Sequence, residues 1–183
     1  AGRPVRGRAD MRGVVGMVAE ARELTGVLPV IQTPFTPADD IDFDALAGEL
    51  AWVFDQGVSG VTVGMVSEIL RMSVAERMQV TELVCGLANR SDRTTVIACS
   101  AESSRMAEDL AVHAAEQGAT ALMAAPPTTV ALSDEALFGY FSSIITRAGI
   151  PLVVQDASGY VGQPLSLALQ ARLLVEYGDQ VYF

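Results

Sequence analysis

The chain has 183 residues, of which 50% are hydrophobic and 19% are charged, and its formal net charge at pH 7 is −10. The hydrophobic content excludes a disordered chain, and with only two cysteines the chain is not a small disulfide-stapled scaffold. The acidic balance argues against a nucleic acid or an anionic membrane surface as a partner, because phosphate groups bind to basic faces. All 12 basic residues are arginine, so these 183 residues contain no lysine amine.

The N-terminal segment precedes the predicted folded unit. Its first twelve residues contain four arginines, and the short apolar stretch that follows runs into Glu20, Arg22 and Glu23. The stretch is too short for a signal peptide, and no run in the sequence reaches the roughly 18 apolar residues of a membrane span. We therefore predict that residues 1–25 form an arm leading into a short helix, and that the protein is cytoplasmic and has no membrane partner.

Six short apolar runs recur along the rest of the chain at intervals of roughly thirty residues. Each has four to six β-branched or aliphatic residues and is bounded by Gly, Pro, Ser or Asp, which predicts buried parallel strands. The runs begin at Val27, Gly60, Thr94, Thr120, Ile150 and Gln180.

Segments with helical periodicity separate these runs. In the first, apolar residues follow the i, i+3, i+4 pattern, and the segment ends at Gly57, a typical helix stop. The second opens with Ser73-Val-Ala-Glu76, the pattern of a capping box. The predicted helices are Asp42–Gln56, Ser73–Ala88, Ser104–Gln117, Ser133–Arg147 and Ser166–Tyr177.

Repeated strand–helix units occur in open doubly wound sheets and in closed eight-fold barrels. A nucleotide-binding doubly wound sheet carries a glycine-rich turn after its first strand, whereas residues 32–37 contain no glycine. The even spacing favours an α/β fold of the (β/α)8 TIM-barrel type. Six strands do not close such a barrel, which typically needs ~250 residues, and the chain ends inside the run Val181–Phe183. We predict that residues 26–183 are the N-terminal part of a barrel, truncated at strand six.

In a parallel barrel the reacting groups lie at the carboxyl ends of the strands. These positions are rich in hydroxyl and amide groups and contain no histidine; His113 falls inside a predicted helix and is assigned a structural role. The turn at Ser67 is placed to present backbone N–H groups to a carboxylate. Three carboxylates, Glu68, Glu102 and Asp156, leave a metal-assisted aldolase open, although the lack of a histidine at any strand end disfavours it.

Several of these segments resemble the dihydrodipicolinate synthase and N-acetylneuraminate lyase superfamily. The resemblance spans about residues 26–183, and the order and spacing of the segments carry it more than any single motif. Residues 30–35 with Asp42 resemble the family's first strand, residues 60–68 with 72–77 its second, residues 115–126 the approach to its fourth, and residues 149–154 with Gly162 its fifth.

The resemblance implies a homo-oligomeric barrel, a dimer or tetramer, that acts as a class I lyase or aldolase on pyruvate-like 2-keto acids. In that family a lysine on strand six forms a Schiff base with the keto group, without a cofactor or a metal. This lysine is expected directly after Phe183, outside the 183 residues. Two explanations remain: the sequence is cut at that point, or the protein lacks the nucleophile.

The family's substrate-binding positions are altered in this sequence. Its strand-two hydroxyl pair corresponds to Met65 and Val66, so the carboxylate-binding role passes to the N–H groups of Val66 and Ser67. The arginine of true dihydrodipicolinate synthases corresponds to Tyr160, which disfavours lysine biosynthesis.

The family's proton-relay residues are altered as well. The relay tyrosine of strand four corresponds to Thr128, or to Pro127 if the alignment shifts by one, and the strand-five tyrosine corresponds to Gln155. An amide donates and accepts hydrogen bonds but does not titrate near neutral pH. Gln155 is therefore expected to orient the substrate, while Thr128 or a bound water carries protons.

Together these features predict a Schiff-base lyase, aldolase or dehydratase that acts on an unassigned 2-keto acid. The predicted catalytic residues are Gln155 and Thr128, and the predicted substrate-binding residues are Thr33, Met65, Val66, Ser67, Asp156 and Tyr160. The alternative is a non-catalytic barrel that binds a small carboxylic acid or serves as a partner subunit.

Overall fold

The computed structural model describes residues 24–160 and 162–183. The predicted N-terminal arm and short helix lie almost entirely outside the described residues. Within them, five helices alternate with five strands. The helices are α1 (Phe43–Asp55), α2 (Val74–Arg90), α3 (Ser104–Glu116), α4 (Asp134–Ala148) and α5 (Leu167–Tyr177), and the strands are β1 (Gly60–Val63), β2 (Thr94–Ala98), β3 (Ala121–Ala124), β4 (Leu152–Val154) and β5 (Val181–Tyr182).

Each helix begins with a polar cap, as the sequence predicts, although Ser103 and not the predicted Ser104 caps the third. The side chains of Asp42, Ser73, Ser103, Ser133 and Ser166 each accept a hydrogen bond from an N–H group in the first turn. The capping box is confirmed, because the Ser73 N–H donates to the Glu76 carboxylate at 2.7 Å while the Glu76 N–H donates to Ser73 Oγ at 3.2 Å. These bonds satisfy backbone donors that have no partner inside the helix.

The order of the strands confirms that the sheet is part of a barrel wall. All strand pairs are parallel and the sheet order follows the chain, from β1 to β5. A doubly wound sheet reverses its strand order at a switch point, whereas right-handed crossovers that always advance in one direction place every helix on one face. Consecutive helices accordingly pack against each other along that face. The fold is therefore a partial (β/α)8 barrel.

The first apolar run lies beside β1 without forming a regular strand. It makes one parallel bridge, Val30 to Thr62, with hydrogen bonds from the Thr62 N–H to the Pro29 carbonyl at 2.9 Å and from the Ile31 N–H to the Thr62 carbonyl at 3.1 Å. The next bridge of a parallel ladder would need an N–H on residue 29, and proline has none. Pro29 thus prevents a second bridge before Val30. After Val30 the ladder ends because Ser67 Oγ bonds both the Gly64 N–H, at 3.1 Å, and the Ile31 carbonyl, at 2.6 Å.

The main hydrophobic core lies between the sheet and the helices. Leu152 and Val154 of β4 are buried in it, while Val153 between them is half-buried. Because side chains alternate between the two faces of a strand, Val153 and Gln155 share the opposite face, which is the lumen side of a barrel. The fold therefore directs Gln155 away from the helices. None of the described helices is long and apolar enough to cross a bilayer.

Close packing at Gly60 gives a direct test of the β1–β2 pairing. A Cβ atom added at Gly60 would lie 2.1 Å from the backbone oxygen of Thr94, whereas one added at Gly139 in α4 would meet no atom within 4 Å. We expect Gly60→Ala to lower the free energy of unfolding by about 2 kcal/mol or more. Gly139→Ala, the matched control, should raise it by up to ~1 kcal/mol, because alanine favours a helix. Thermal unfolding measures both, and an unchanged Tm in Gly60→Ala would contradict the register.

Candidate active site

The loop after β1 is held in place by Ser67. Residues Met65–Ser67 form a short 3-10 turn, and Ser67 is fully buried. Its hydroxyl donates to the Ile31 carbonyl at 2.6 Å and accepts from the Gly64 N–H at 3.1 Å, while Thr33 Oγ1 donates to the Ser67 carbonyl at 2.8 Å. The structure thus brings the predicted residues Thr33 and Ser67 together through a contact that fixes the loop.

The amide groups of this turn are not equally available. The Ser67 N–H donates to the Gly64 carbonyl at 3.0 Å, so it is already engaged inside the turn. Val66 is exposed, whereas Met65 is half-buried. Of the two amides predicted to bind a carboxylate, the geometry therefore favours the Val66 N–H.

The loop after β2 is braced by two residues that the sequence analysis did not single out. The half-buried guanidinium of Arg77 donates to the carbonyls of Ala98, at 3.1 Å, and Ser100, at 3.0 Å. The Tyr140 hydroxyl bonds both the N–H and the carbonyl of Ala101, each at 3.1 Å. Burial lowers the pKa of Arg77 and raises that of Tyr140. The position of Arg77 in the first turn of α2 was visible in the sequence, but its acceptors were not.

A carboxylate clamp links the loops after β2 and β3. Glu102 Oε1 accepts from the Thr128 N–H at 2.9 Å and the Thr128 hydroxyl at 2.7 Å, and Oε2 accepts from the Thr129 N–H at 3.1 Å and the Thr129 hydroxyl at 2.5 Å. These hydrogen bonds, those of Thr129 first, lower the pKa of Glu102 from 4.5 to about 2. The predicted residue Thr128 is therefore oriented by an ionised neighbour.

The loop after β4 carries Gln155 and Asp156, which line a cavity of about 290 Å³ together with Phe183 and residues of β4 and α5. The Gln155 N–H donates to the Ala124 carbonyl at 2.8 Å, which fixes its backbone at the end of β4. Asp156 accepts from the N–H groups of Ser158, at 2.9 Å, and Leu165, at 3.1 Å, and the bonds from Ser158 contribute most to lowering its pKa. Tyr160 is strongly exposed in the same loop.

Each carboxylate weighed for a metal site has a local partner. Glu68 pairs with Arg71, Glu102 is bound by two threonines, and Asp156 closes its own loop. Among residues 24–160 and 162–183, no group of three or more His, Cys, Asp or Glu side chains is arranged to hold a metal ion. Neither Cys85 nor Cys99 is placed to act as a nucleophile, because burial raises the pKa of these thiols to about 11 and about 12.

Ser67 and Ser142 provide a matched pair for testing the turn after β1. Ser67→Ala removes two buried hydrogen bonds and leaves the Gly64 N–H and the Ile31 carbonyl unsatisfied, so we expect a loss of about 1–3 kcal/mol in the free energy of unfolding. Ser142 Oγ is buried without a hydrogen-bond partner among the described residues. Ser142→Ala should be neutral or stabilising. Denaturant titration measures both, and an equal effect of the two substitutions would refute the role of Ser67.

The Glu102 clamp predicts a pH dependence. A carboxylate with a lowered folded-state pKa stabilises the protein above its unfolded pKa of 4.5, and this contribution is lost as the pH falls towards about 2. Protonated Glu102 resembles glutamine, so the Tm difference between the wild type and Glu102→Gln should be constant near neutral pH and shrink below pH 4.5. Thermal melts between about pH 7 and pH 3 measure it. A difference that stays flat to the lowest pH would show that the clamp does not form.

Comparison with known proteins identifies relatives of this chain. The model of the dihydrodipicolinate synthetase family matches residues 23–179, which confirms the resemblance found in the sequence. A 4-hydroxy-tetrahydrodipicolinate synthase from Rhizobium meliloti is 30% identical over 150 residues, which cover 81% of this chain and 50% of that protein. The chain thus spans about half the length of the curated relatives that it matches.

Solved structures give the same picture. A catalytic lysine mutant of the Ruminococcus gnavus sialic acid aldolase superposes with a TM-score of 0.78 at 25% identity, covering 85% of this chain and 51% of the other. YagE from E. coli K12, a member of the dihydrodipicolinic acid synthase family solved in complex with pyruvate, superposes with a TM-score of 0.79 at 22% identity, covering 86% and 52%. The second likeness supports the fold alone.

Proposed function

Because the chain belongs to the dihydrodipicolinate synthetase family, we propose that the polypeptide containing it is a class I lyase, aldolase or dehydratase that acts on a pyruvate-like 2-keto acid. The observation that carries the proposal is the family match over residues 23–179, since it covers every strand-end loop described above. The catalytic lysine named for the sialic acid aldolase supports the same chemistry.

The proposed nucleophile is a lysine that directly follows Phe183. Its amine nitrogen would bond to the keto carbon of the substrate, and water would leave as the Schiff base forms. The protonated imine then accepts the electron pair of the neighbouring carbon–carbon or carbon–hydrogen bond as that bond breaks. The cavity beside Gln155 and Asp156 is bordered by Phe183, so a residue after Phe183 would stand next to this cavity.

Residues of this chain would hold the keto acid. Gln155 lies on the lumen face and can both donate and accept hydrogen bonds, so it would orient the substrate without titrating. The Val66 N–H would bind the carboxylate, in a turn fixed by Thr33 and Ser67. The Met65 side chain would border the bound carboxylate. Proton transfer would fall to a bound water, because Thr128 donates its hydroxyl hydrogen to Glu102.

The outer rim would govern which second substrate enters. Asp156 closes the loop that carries the exposed Tyr160, and Tyr160 stands where true dihydrodipicolinate synthases carry an arginine. We therefore propose a reaction other than dihydrodipicolinate synthesis for this chain. We also propose that the complete polypeptide forms a homo-oligomer, as members of this family do.

Trapping with borohydride tests the proposal. The complete polypeptide is incubated with pyruvate and sodium borohydride, which reduces the imine to a stable secondary amine. The intact mass should rise by that of pyruvic acid less one oxygen, and peptide mapping should place the adduct on the lysine after Phe183. Replacing that lysine by arginine is the control and should abolish the adduct.

Two outcomes would overturn the proposal. One is an unmodified mass with pyruvate and a panel of other 2-keto acids. The other is a residue other than lysine after Phe183, which would leave the non-catalytic barrel as the remaining assignment.

A further inference from the structure

A second cleft lies on the rim, between the loop after β3 and the loop after β4. Its volume is about 220 Å³, equal to about seven water molecules at 30 Å³ each, so a short carbon chain fits it. The lining residues are Pro127, Thr128, Val130, Ala131, Gly162 and Gln163. No arginine or other charged side chain is among these lining residues, all of which belong to the described part of the chain.

The polar side chains of this cleft already make hydrogen bonds within the protein. The Gln163 carboxamide accepts from the Leu132 N–H at 2.5 Å and donates to the Leu132 carbonyl at 2.7 Å. Thr128 Oγ1 donates its hydrogen to Glu102 Oε1 at 2.7 Å. Both Thr128 Oγ1 and Gln163 Oε1 therefore keep acceptor capacity, but only the Thr128 oxygen lies next to a charged group, the Glu102 carboxylate.

Glu102 fixes the direction of the Thr128 hydroxyl. An ionised carboxylate can only accept hydrogen bonds, so the hydroxyl hydrogen points to Glu102 and the lone pairs point elsewhere. The Thr128 and Thr129 N–H groups and the Thr129 hydroxyl hold the same carboxylate, which prevents it from turning away. A ligand therefore meets an acceptor at Thr128, close to a fixed negative charge.

We propose that this cleft is a subsite for an uncharged, hydroxyl-bearing part of the second substrate, with Thr128 as the hydrogen-bond acceptor and Glu102 as the positioning residue that sets its polarity. The substrate hydroxyl donates to Thr128 Oγ1, while its carbon chain contacts Pro127 and Val130. A carboxylate or phosphate at this place is repelled by Glu102. The inference rests on the proposed function, because the loop after β4 joins this cleft to Gln155.

Three aldehydes with the same three-carbon chain test the subsite in the complete polypeptide. Pyruvate addition is measured with glyceraldehyde, propanal and glyceraldehyde 3-phosphate as acceptors. We expect kcat/KM for glyceraldehyde to exceed that for propanal about tenfold, since only glyceraldehyde donates to Thr128, and glyceraldehyde 3-phosphate to be the poorest acceptor. Equal kcat/KM for glyceraldehyde and propanal would overturn the proposal.

Variants separate the roles of the two residues. Thr128→Val should bring the glyceraldehyde-to-propanal ratio to within about twofold of one. Glu102→Gln should lower that ratio about threefold and raise kcat/KM for glyceraldehyde 3-phosphate, because a carboxamide carries no charge and no longer fixes the hydroxyl. Thr146→Val is the matched control: Thr146 is exposed on α4 and does not line the cleft, so the ratio should stay near that of the wild type. A Thr128→Val ratio equal to the wild-type ratio would contradict the subsite.

Ligand binding provides a readout without turnover. Saturation-transfer NMR should detect threitol bound to the wild type and to Thr146→Val, but not to Thr128→Val. Absence of threitol binding to the wild type, or equal binding to Thr128→Val, would overturn the subsite. Borohydride trapping with pyruvate in the same samples reports on the keto-acid site alone, so failure of the subsite and failure of the proposed function give different results.

Discussion

Hydrogen bonds between neighbouring strand-end loops determine the shape of the candidate site. Parallel strands bring their carboxyl ends to one edge, but the loops that follow are surface segments without regular structure. In this chain three side chains tie these segments together. Ser67 binds the first extended segment, Glu102 joins the loops after β2 and β3, and Gln163 joins those after β3 and β4. These contacts hold the rim loops in position before any substrate binds. They thereby lower the entropic cost of ordering the loops on binding.

The same contacts explain why an acidic chain presents few free acids at the rim. Glu68, Glu102 and Asp156 are each held by a local cation or by hydrogen-bond donors. Their charges are thus used to fix loops, while the groups left for a ligand are amides and hydroxyl oxygens. Such groups orient and discriminate, but they cannot form a Schiff base with a keto group. In the proposed function the covalent chemistry would therefore fall to a residue beyond Phe183, and recognition to this chain.

Local patterns predicted most of the fold. The serine caps, the Ser73–Glu76 capping box and the even spacing of apolar runs depend on residues close in sequence, and the structure confirms them. The exception is the first strand, where Pro29 removes the N–H that a second bridge requires. The sequence also predicts that these loops form the site, because strand ends of a parallel barrel share one edge.

Local sequence patterns could not predict the side-chain contacts within the site. Glu102 meets Thr128 and Thr129 across 26 and 27 residues, and Tyr140 meets Ala101 across 39. No periodicity links these positions, so the sequence offered Glu102 only as a metal ligand and assigned no role to the side chains of Thr129, Arg77 or Tyr140. Side-chain direction is set by tertiary packing, and this direction decides whether Thr128 donates or accepts.

A crystal structure of the complete polypeptide with pyruvate would test the central claim most directly. The account predicts continuous density between the nitrogen of the lysine after Phe183 and the former keto carbon, with the Gln155 carboxamide within hydrogen-bonding distance of the bound acid. Pyruvate bound elsewhere, or density that ends before the keto carbon in a fully occupied site, would contradict it.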